Sequence, residues 1–359
     1  MAYLTPPDEL DELVPGEPTY RSDQLRKWLY ENPVLTAADM TNIPAAVRSS
    51  IAERLWPFRL EVNQSADKGT TRKWLFRCDD GAPIETVLMG YPRRTTLCIS
   101  SQVGCALACT FCATGQFGFS RHLEAGEIVA QVAYANATLR DSPIFGSPDR
   151  VTNVVFMGMG EPLVNYRRVR EAIRRIIEEM GMSARSITVS TVGVVPGMLS
   201  LAEEPWPVNL AVSLHAADNE TRSKLVPLTR RYPIEAIIDA AEVFYRAKGR
   251  RISLEWTLIA GANDSSDQAA KLAAIARRLQ AHVNVIALNP TPLTTDRPPD
   301  PSGVEAFIAD VRRAGANVTL RDTRGQEIDA ACGQLRLRVS TADSASSLDR
   351  AHNNEGTRS

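Results

Sequence analysis

Ser100-Ser101-Gln102-Val103-Gly104-Cys105-Ala106-Leu107-Ala108-Cys109-Thr110-Phe111-Cys112-Ala113-Thr114-Gly115 sets three cysteines in one short run, spaced C-x3-C-x2-C. Thiolates this close can share one metal centre. Iron–sulfur clusters are held by cysteine thiolates, four as a rule. A run that supplies three leaves one iron open, where a small molecule can bind and receive an electron. A structural zinc is the alternative reading. Zinc sites of that kind are closed and four-coordinate, and no fourth Cys or His stands at ribbon or finger spacing. His122 is the nearest candidate and lies outside the run.

On the C-terminal side of this run the chain alternates. Helices are expected over 123–139, 166–180, 233–247, 266–279 and 302–314, and strands over 152–157, 186–190, 208–213, 252–258, 283–288 and 317–320. Strands that alternate with helices imply parallel βα units. An open doubly wound sheet and a barrel-like sheet both fit, and in either a ligand binds beyond the carboxyl ends of the strands. The unusual residues fall at those ends. The cysteine run follows the strand Thr95–Ile99, and Gly158-Met159-Gly160-Glu161-Pro162 follows the next. Ser190-Thr191, then Ser213-Leu214-His215, then Asn289-Pro290-Thr291-Pro292 end later strands. Taken singly, each is an ordinary turn; their common position predicts one shared pocket.

On the N-terminal side, residues 1–19 are acidic and Pro-rich, without Lys or Arg, and read as a flexible lead-in. Residues 20–60 carry apolar positions at helical spacing (Leu25, Trp28, Leu29) and form a small helical accessory domain, a candidate RNA contact or a plain packing element. Residues 61–93 read as a linker and a β-hairpin extension, with Asp79-Asp80-Gly81 as its turn and Glu85 on the return strand. Residues 94–338 form the core, and the polar stretch 339–359 is expected to be disordered.

Bulk composition excludes little. With Lys+Arg 41 against Asp+Glu 42, an RNA partner needs a local basic face. Arg93-Arg94, Arg167-Arg168, Arg174-Arg175, Arg230-Arg231, Arg250-Arg251 and Arg312-Arg313 are the candidates, if they converge near the pocket. No run of 18 apolar residues marks a membrane span. The chain reads as cytoplasmic, where cysteines more often bind metal or react than form structural disulfides. Cys78, Cys98 and Cys332 lie outside the cluster run. Packing explains a buried cysteine by default, and is the reading for Cys78. Cys332, with only Gly333 after it, is a plausible reactive thiol.

The cysteine spacing followed by Ala113-Thr114-Gly115 resembles the radical S-adenosylmethionine (radical SAM) superfamily. From Tyr20 to Leu335 the chain further resembles the RlmN/Cfr family of RNA adenosine methyltransferases. That likeness is carried by Tyr20–Leu25, Met40–Pro44, Cys98–Gln102, Cys105–Gly115, Val155–Leu163, Ser190-Thr191, Leu214-His215-Ala216, Leu288-Asn289-Pro290 and Ala330–Leu335. The resemblance implies an α/β core forming a partial (β/α)6 TIM-type barrel of the radical SAM kind, with the helical domain and hairpin attached. It implies one [4Fe-4S] cluster on Cys105, Cys109 and Cys112, its open iron chelated by exchangeable SAM. SAM contacts carry over to Gly160, Glu161, Ser190, Ser213, Leu214, His215 and Asn289. Carbon 2 of adenine is electron-poor, so a polar methyl transfer fails there. In the family Cys332 first takes a methyl group from SAM, a second SAM cleaved at the cluster abstracts hydrogen from it, and the carbon radical adds to C2. Cys98 then attacks the Cys332 sulfur through a transient disulfide, and Glu85 is the general base. The implied substrates are 23S rRNA and tRNA adenosine 37. The implied electron donor is flavodoxin- or ferredoxin-like, and the chain would act as a monomer. A Cfr-like C8 methyltransferase shares these motifs and remains the alternative.

Overall fold

The computed structural model describes residues 1–289, 291 and 294–335. Pro290 and Pro292 of one strand-end cluster, and the tail 339–359 expected to be disordered, lie outside the described residues.

The N-terminal module holds α1 (Tyr20–Arg26) and α2 (Ala45–Ala52). Next come three antiparallel strands, β1 (Phe58–Ala66), β2 (Thr71–Cys78) and β3 (Pro83–Tyr91). β4 (Arg94–Cys98) leads into β5 (Gln102–Gly104), α3 (Ala113–Gln116) and β6 (Phe119–His122), and β5 and β6 pair as a separate small ribbon. The regular alternation follows: α4 (Ala125–Asp141), β7 (Asn153–Phe156), α5 (Tyr166–Glu178), β8 (Ile187–Thr191), α6 (Val195–Glu203) and β9 (Asn209–Ser213). Then come α7 (Asn219–Leu225), α8 (Ile234–Lys248), β10 (Ser253–Leu258), α9 (Ser266–Arg278), β11 (His282–Ala287), α10 (Pro301–Arg313) and β12 (Asn317–Leu320).

One 10-stranded sheet results, in the order β1-β2-β3-β4-β7-β8-β9-β10-β11-β12. From β4 to β12 every pairing is parallel. β4, β7, β8, β9, β10 and β11 are each followed by helix, and β12 closes the series, which is the expected partial barrel. Parallel strands are covered on both faces, so they read as apolar runs rather than alternating ones; in β10 only Ser253 is not buried. Local chemistry starts the helices where the strands need them to return. Glu124 and Glu127 form a capping box on α4, and Asp218, Ser265 and Asp300 accept N–H bonds at the starts of α7, α9 and α10.

Two expectations are corrected. Residues 1–19 are not a mobile lead-in. Asp8, Glu9, Asp11 and Glu12 face solvent, while Leu10, Leu13 and Val14 pack inward, so the acidic turn is amphipathic. Ahead of it, the Tyr3 ring stacks on Trp56 at 5.0 Å and its hydroxyl donates to the Leu29 carbonyl at 2.9 Å. Nor is 61–93 a linker with an appended hairpin. β1 already covers most of the supposed linker, and β3 pairs with β4, so the antiparallel strands continue the main sheet.

After β12 the chain turns back across the open side of the barrel. Arg324 Nη1 donates to the Gly90 carbonyl at 2.9 Å, the Gly325 N–H donates to Asp67 Oδ2 at 3.0 Å, and Lys73 Nζ reaches the Asp329 carbonyl at 3.4 Å. Residues 321–335 are thus a strap that joins the two edges of the sheet and delivers Cys332 to the interior.

Candidate active site

The cysteine run is fastened by backbone hydrogen bonds. The Cys105 N–H donates to the Gly118 carbonyl at 2.7 Å, Thr110 to Leu225 at 3.1 Å and Ala113 to Gly333 at 2.8 Å. Gly104 makes the first of these possible: its φ is +76°, and a Cβ there would lie 2.1 Å from the Gly118 oxygen. Burial pushes the Cys105 thiol up to about 12 and raises Cys109 and Cys112 as well. A bound metal reverses that balance and takes the thiols as thiolates. The three thiols line one cleft, and soft sulfur donors gathered there fit an iron–sulfur cluster. His122, the remaining zinc candidate, is 3.0 Å from Gln102 Nε2 through Nδ1 and does not line the cleft.

That cleft opens to solvent beyond the carboxyl ends of the parallel strands, the place where such folds bind small molecules. Cys105, Cys109, Cys112, Gly160, Glu161, Ser190, Ser213, His215 and Cys332 all line it, so the shared pocket expected from the strand ends is present. Gly158 and Gly160 carry the chain past the cysteine run: a Cβ on Gly158 would meet the Ile99 carbonyl at 2.6 Å, and one on Gly160 the Gln102 side chain at 2.5 Å. Glu161 accepts from the N–H groups of Leu163 (3.0 Å) and Val192 (2.9 Å). Burial still outweighs those donors and lifts its carboxyl to about 7. His215 accepts from the Thr257 N–H at Nδ1 (3.0 Å), which leaves its proton on Nε2. Desolvation, with the nearby Arg222 charge, lowers it to about 3, so the ring is neutral.

Other expected residues fall elsewhere. Leu214 is buried outside the cleft, and its carbonyl accepts from Arg222. Asn289 lies in an adjoining pocket, where its Nδ2 donates to the Cys332 carbonyl at 3.0 Å and its Oδ1 accepts from Gln326 at 3.1 Å. Its visible work is to position the strap. Cys98 lines this same pocket, and Cys332 lines both. Val87 lies opposite Cys98 across the β3–β4 pair, so Glu85, two residues away, shares that face. Glu85 is buried, stands 3.1 Å from Lys73 Nζ and lines neither cavity. Cys98 packs with Val87, Met159 and Leu335, and burial lifts its thiol to about 12. Cys78 is buried core, as expected.

Sequence reasoning missed Arg321, Glu255 and Arg222. Arg321 lines both cavities, and its charge is favoured first by a Cys332 thiolate, then by Glu255 at 3.6 Å. It directly follows β12, so the strand-end rule would have found it. The six arginine pairs do not converge. Arg167-Arg168 open α5 and Arg230-Arg231 close the short helical turn ahead of α8, at the site end, whereas Arg93-Arg94 and Arg250-Arg251 stand where β4 and β10 begin and Arg174-Arg175 and Arg312-Arg313 lie toward the ends of α5 and α10, at the far end.

Residues 99–273 match the radical SAM superfamily, and residues 12–56 match the ribosomal RNA large subunit methyltransferase N-terminal domain. The chain is 48% identical over 332 residues to a Bifidobacterium adolescentis protein named "Probable dual-specificity RNA methyltransferase RlmN", covering 89% of this chain and 85% of that one. It is 46% identical over 345 residues to a Streptomyces griseus protein of the same name, with 93% of each covered. A crystal structure of a radical SAM methyltransferase from Sphaerobacter thermophilus is similar at 45% identity and a TM-score of 0.87, covering 93% of this chain and 98% of that one.

Proposed function

The chain belongs to the RlmN family of radical SAM methyltransferases, and from that premise we propose that it methylates carbon 2 of adenosine in 23S rRNA and of adenosine 37 in tRNA. The observation that carries the reading is the position of Cys332, which borders both the cleft of the three cysteines and the pocket of Cys98. A thiol placed there can accept a group on one side and be resolved on the other.

Cys105, Cys109 and Cys112 would hold a [4Fe-4S] cluster, with SAM bound beside it against Gly160, Glu161, Ser190, Ser213 and His215. When bound, that pair supplies one-electron reduction of a sulfonium and hydrogen-atom abstraction. The protein's own groups do the rest. Glu161 offers its carboxylate to an ammonium group, and His215 offers its Nε2 proton. Cys332 takes a methyl group on sulfur, beside Arg321, which lines the same two cavities. That carbon, short of one hydrogen atom, would join C2 of adenine; once the adduct has returned one electron to the redox centre and given its C2 proton to Glu85, Cys98 attacks Cys332 Sγ. The attack breaks the S–C bond, forms a disulfide and leaves the electron pair on the carbon, which takes up a proton and departs as the methyl group of the base. Asn289 keeps the thiol at the boundary of the two cavities.

An adenine within folded RNA must leave its stack to reach this depth, and phosphate contacts from Arg167-Arg168 and Arg230-Arg231 would weaken as salt rises. Reduction requires a small flavodoxin- or ferredoxin-type donor. The reading places the chain in the cytoplasm as a monomer; among the described residues no helix is long and apolar enough to cross a membrane. Nuclease digestion and mass spectrometry of RNA from a strain lacking the gene provides the test. Loss of 2-methyladenosine supports the reading; its persistence with loss of 8-methyladenosine would transfer the protein to C8 chemistry.

A further inference from the structure

Arg222 is 0% exposed, yet among the described residues no carboxylate pairs with it. Each of its three nitrogens donates to a neutral oxygen. Nε gives to the Leu214 carbonyl at 2.8 Å, Nη1 to Thr229 Oγ1 at 2.9 Å, and Nη2 to the carbonyls of Val192 and of Ser213, the latter at 3.3 Å. Hydrogen bonding is satisfied while the charge is not, and an uncompensated buried charge is strongly unfavourable. The side chain therefore sits where an anion is due.

The adjoining structure shows where that anion would be. Leu225, on the same short helix, accepts the Thr110 N–H at 3.1 Å and so ties Arg222's helix to the residue after Cys109. The charge that favours the Arg222 guanidinium is that of Cys109, and the guanidinium in turn favours the thiolate. Three thiolates on a cluster leave the site net negative, and reduction adds a further negative charge. We infer that Arg222, which does not line the cleft, is the built-in counter-charge of the iron–sulfur site and that it eases reduction of the cluster.

This rests on the cluster reading above, and the test separates the two. Wild type, Arg222→Gln and Arg222→Lys are reconstituted anaerobically and titrated potentiometrically with electron-spin detection. The glutamine variant should be harder to reduce by at least tenfold in the equilibrium, about 59 mV for one electron, and the lysine variant should stay near wild type. If the glutamine variant alone fails to hold a cluster, the charge is still what matters. An unshifted potential in Arg222→Gln overturns the inference, as does failure of both variants to load, which would make the residue a hydrogen-bonding scaffold. If wild type itself takes up no cluster, it is the functional reading that falls.

Discussion

Two sulfur-bearing segments meet at this cleft and are held in opposite ways. The Cys105–Cys112 run is fixed through its backbone, to Gly118, Leu225 and Gly333. The strap 321–335 is fixed mostly through side chains, by Arg324, Asp67, Lys73, Asn289 and by Thr114, whose Oγ1 donates to the Leu335 carbonyl at 2.7 Å. Metal ligands must keep their spacing. A thiol that serves two cavities must change partners, and side-chain tethers can be exchanged without unfolding an element. The comparison teaches that the three cysteines form a cradle and the last one rides on a carrier.

Substitutions should divide along that line. The largest effects come from the cradle: Cys109→Ala should abolish both the iron–sulfur absorption and methylation of RNA. Cys332→Ala should reduce methylation equally while the absorption survives; if it also lost the cluster, the two segments would be one unit. Cys98→Ala should keep cluster and methyl acceptance but leave RNA joined to Cys332, seen as a protein–RNA adduct on a denaturing gel. In the cradle floor, Glu161 is raised from 4.5 to about 7 on folding. A raised carboxyl favours the fold below its unfolded value and loses that contribution as pH rises through about 7. Cluster-free wild type should therefore lose on the order of 2–3 kcal/mol relative to Glu161→Gln between pH 4 and 8, measured by denaturant unfolding at each pH. Smallest is the carrier's tether. Asn289→Ala removes the hydrogen bonds to the Cys332 carbonyl and from Gln326, of which the tether to Cys332 contributes about 1 kcal/mol. It should slow turnover roughly fivefold with SAM affinity unchanged; lost SAM affinity would return Asn289 to the cradle.

The cradle was legible in the sequence and the carrier was not, and the reason is range. Cys105, Cys109 and Cys112 are local neighbours, and Gly160, Glu161, Ser190, Ser213 and His215 each stand at or just past the end of a strand, so parallel pairing alone brings them together. Asn289 also ends a strand, but its partner is the Cys332 carbonyl, 43 residues on, and no pattern encodes that contact. Arg222 sits in Asn219-Glu220-Thr221-Arg222-Ser223-Lys224, a stretch that reads as a solvated helix face; only the packing of α7 under the cysteine run buries it. The acidic lead-in misled for a related reason. Its composition is that of a solvated segment, and the apolar residues that dock it, among them Tyr3, Leu10, Leu13 and Val14, are interspersed with carboxylates.

The division between cradle and carrier is tested most directly by peptide mass spectrometry of Cys332 after anaerobically reconstituted protein has been incubated with SAM and reductant. A methyl group on that sulfur, and none on Cys98 or the cradle cysteines, is the predicted result. An unmodified Cys332 in protein that carries its cluster and binds SAM would contradict the account.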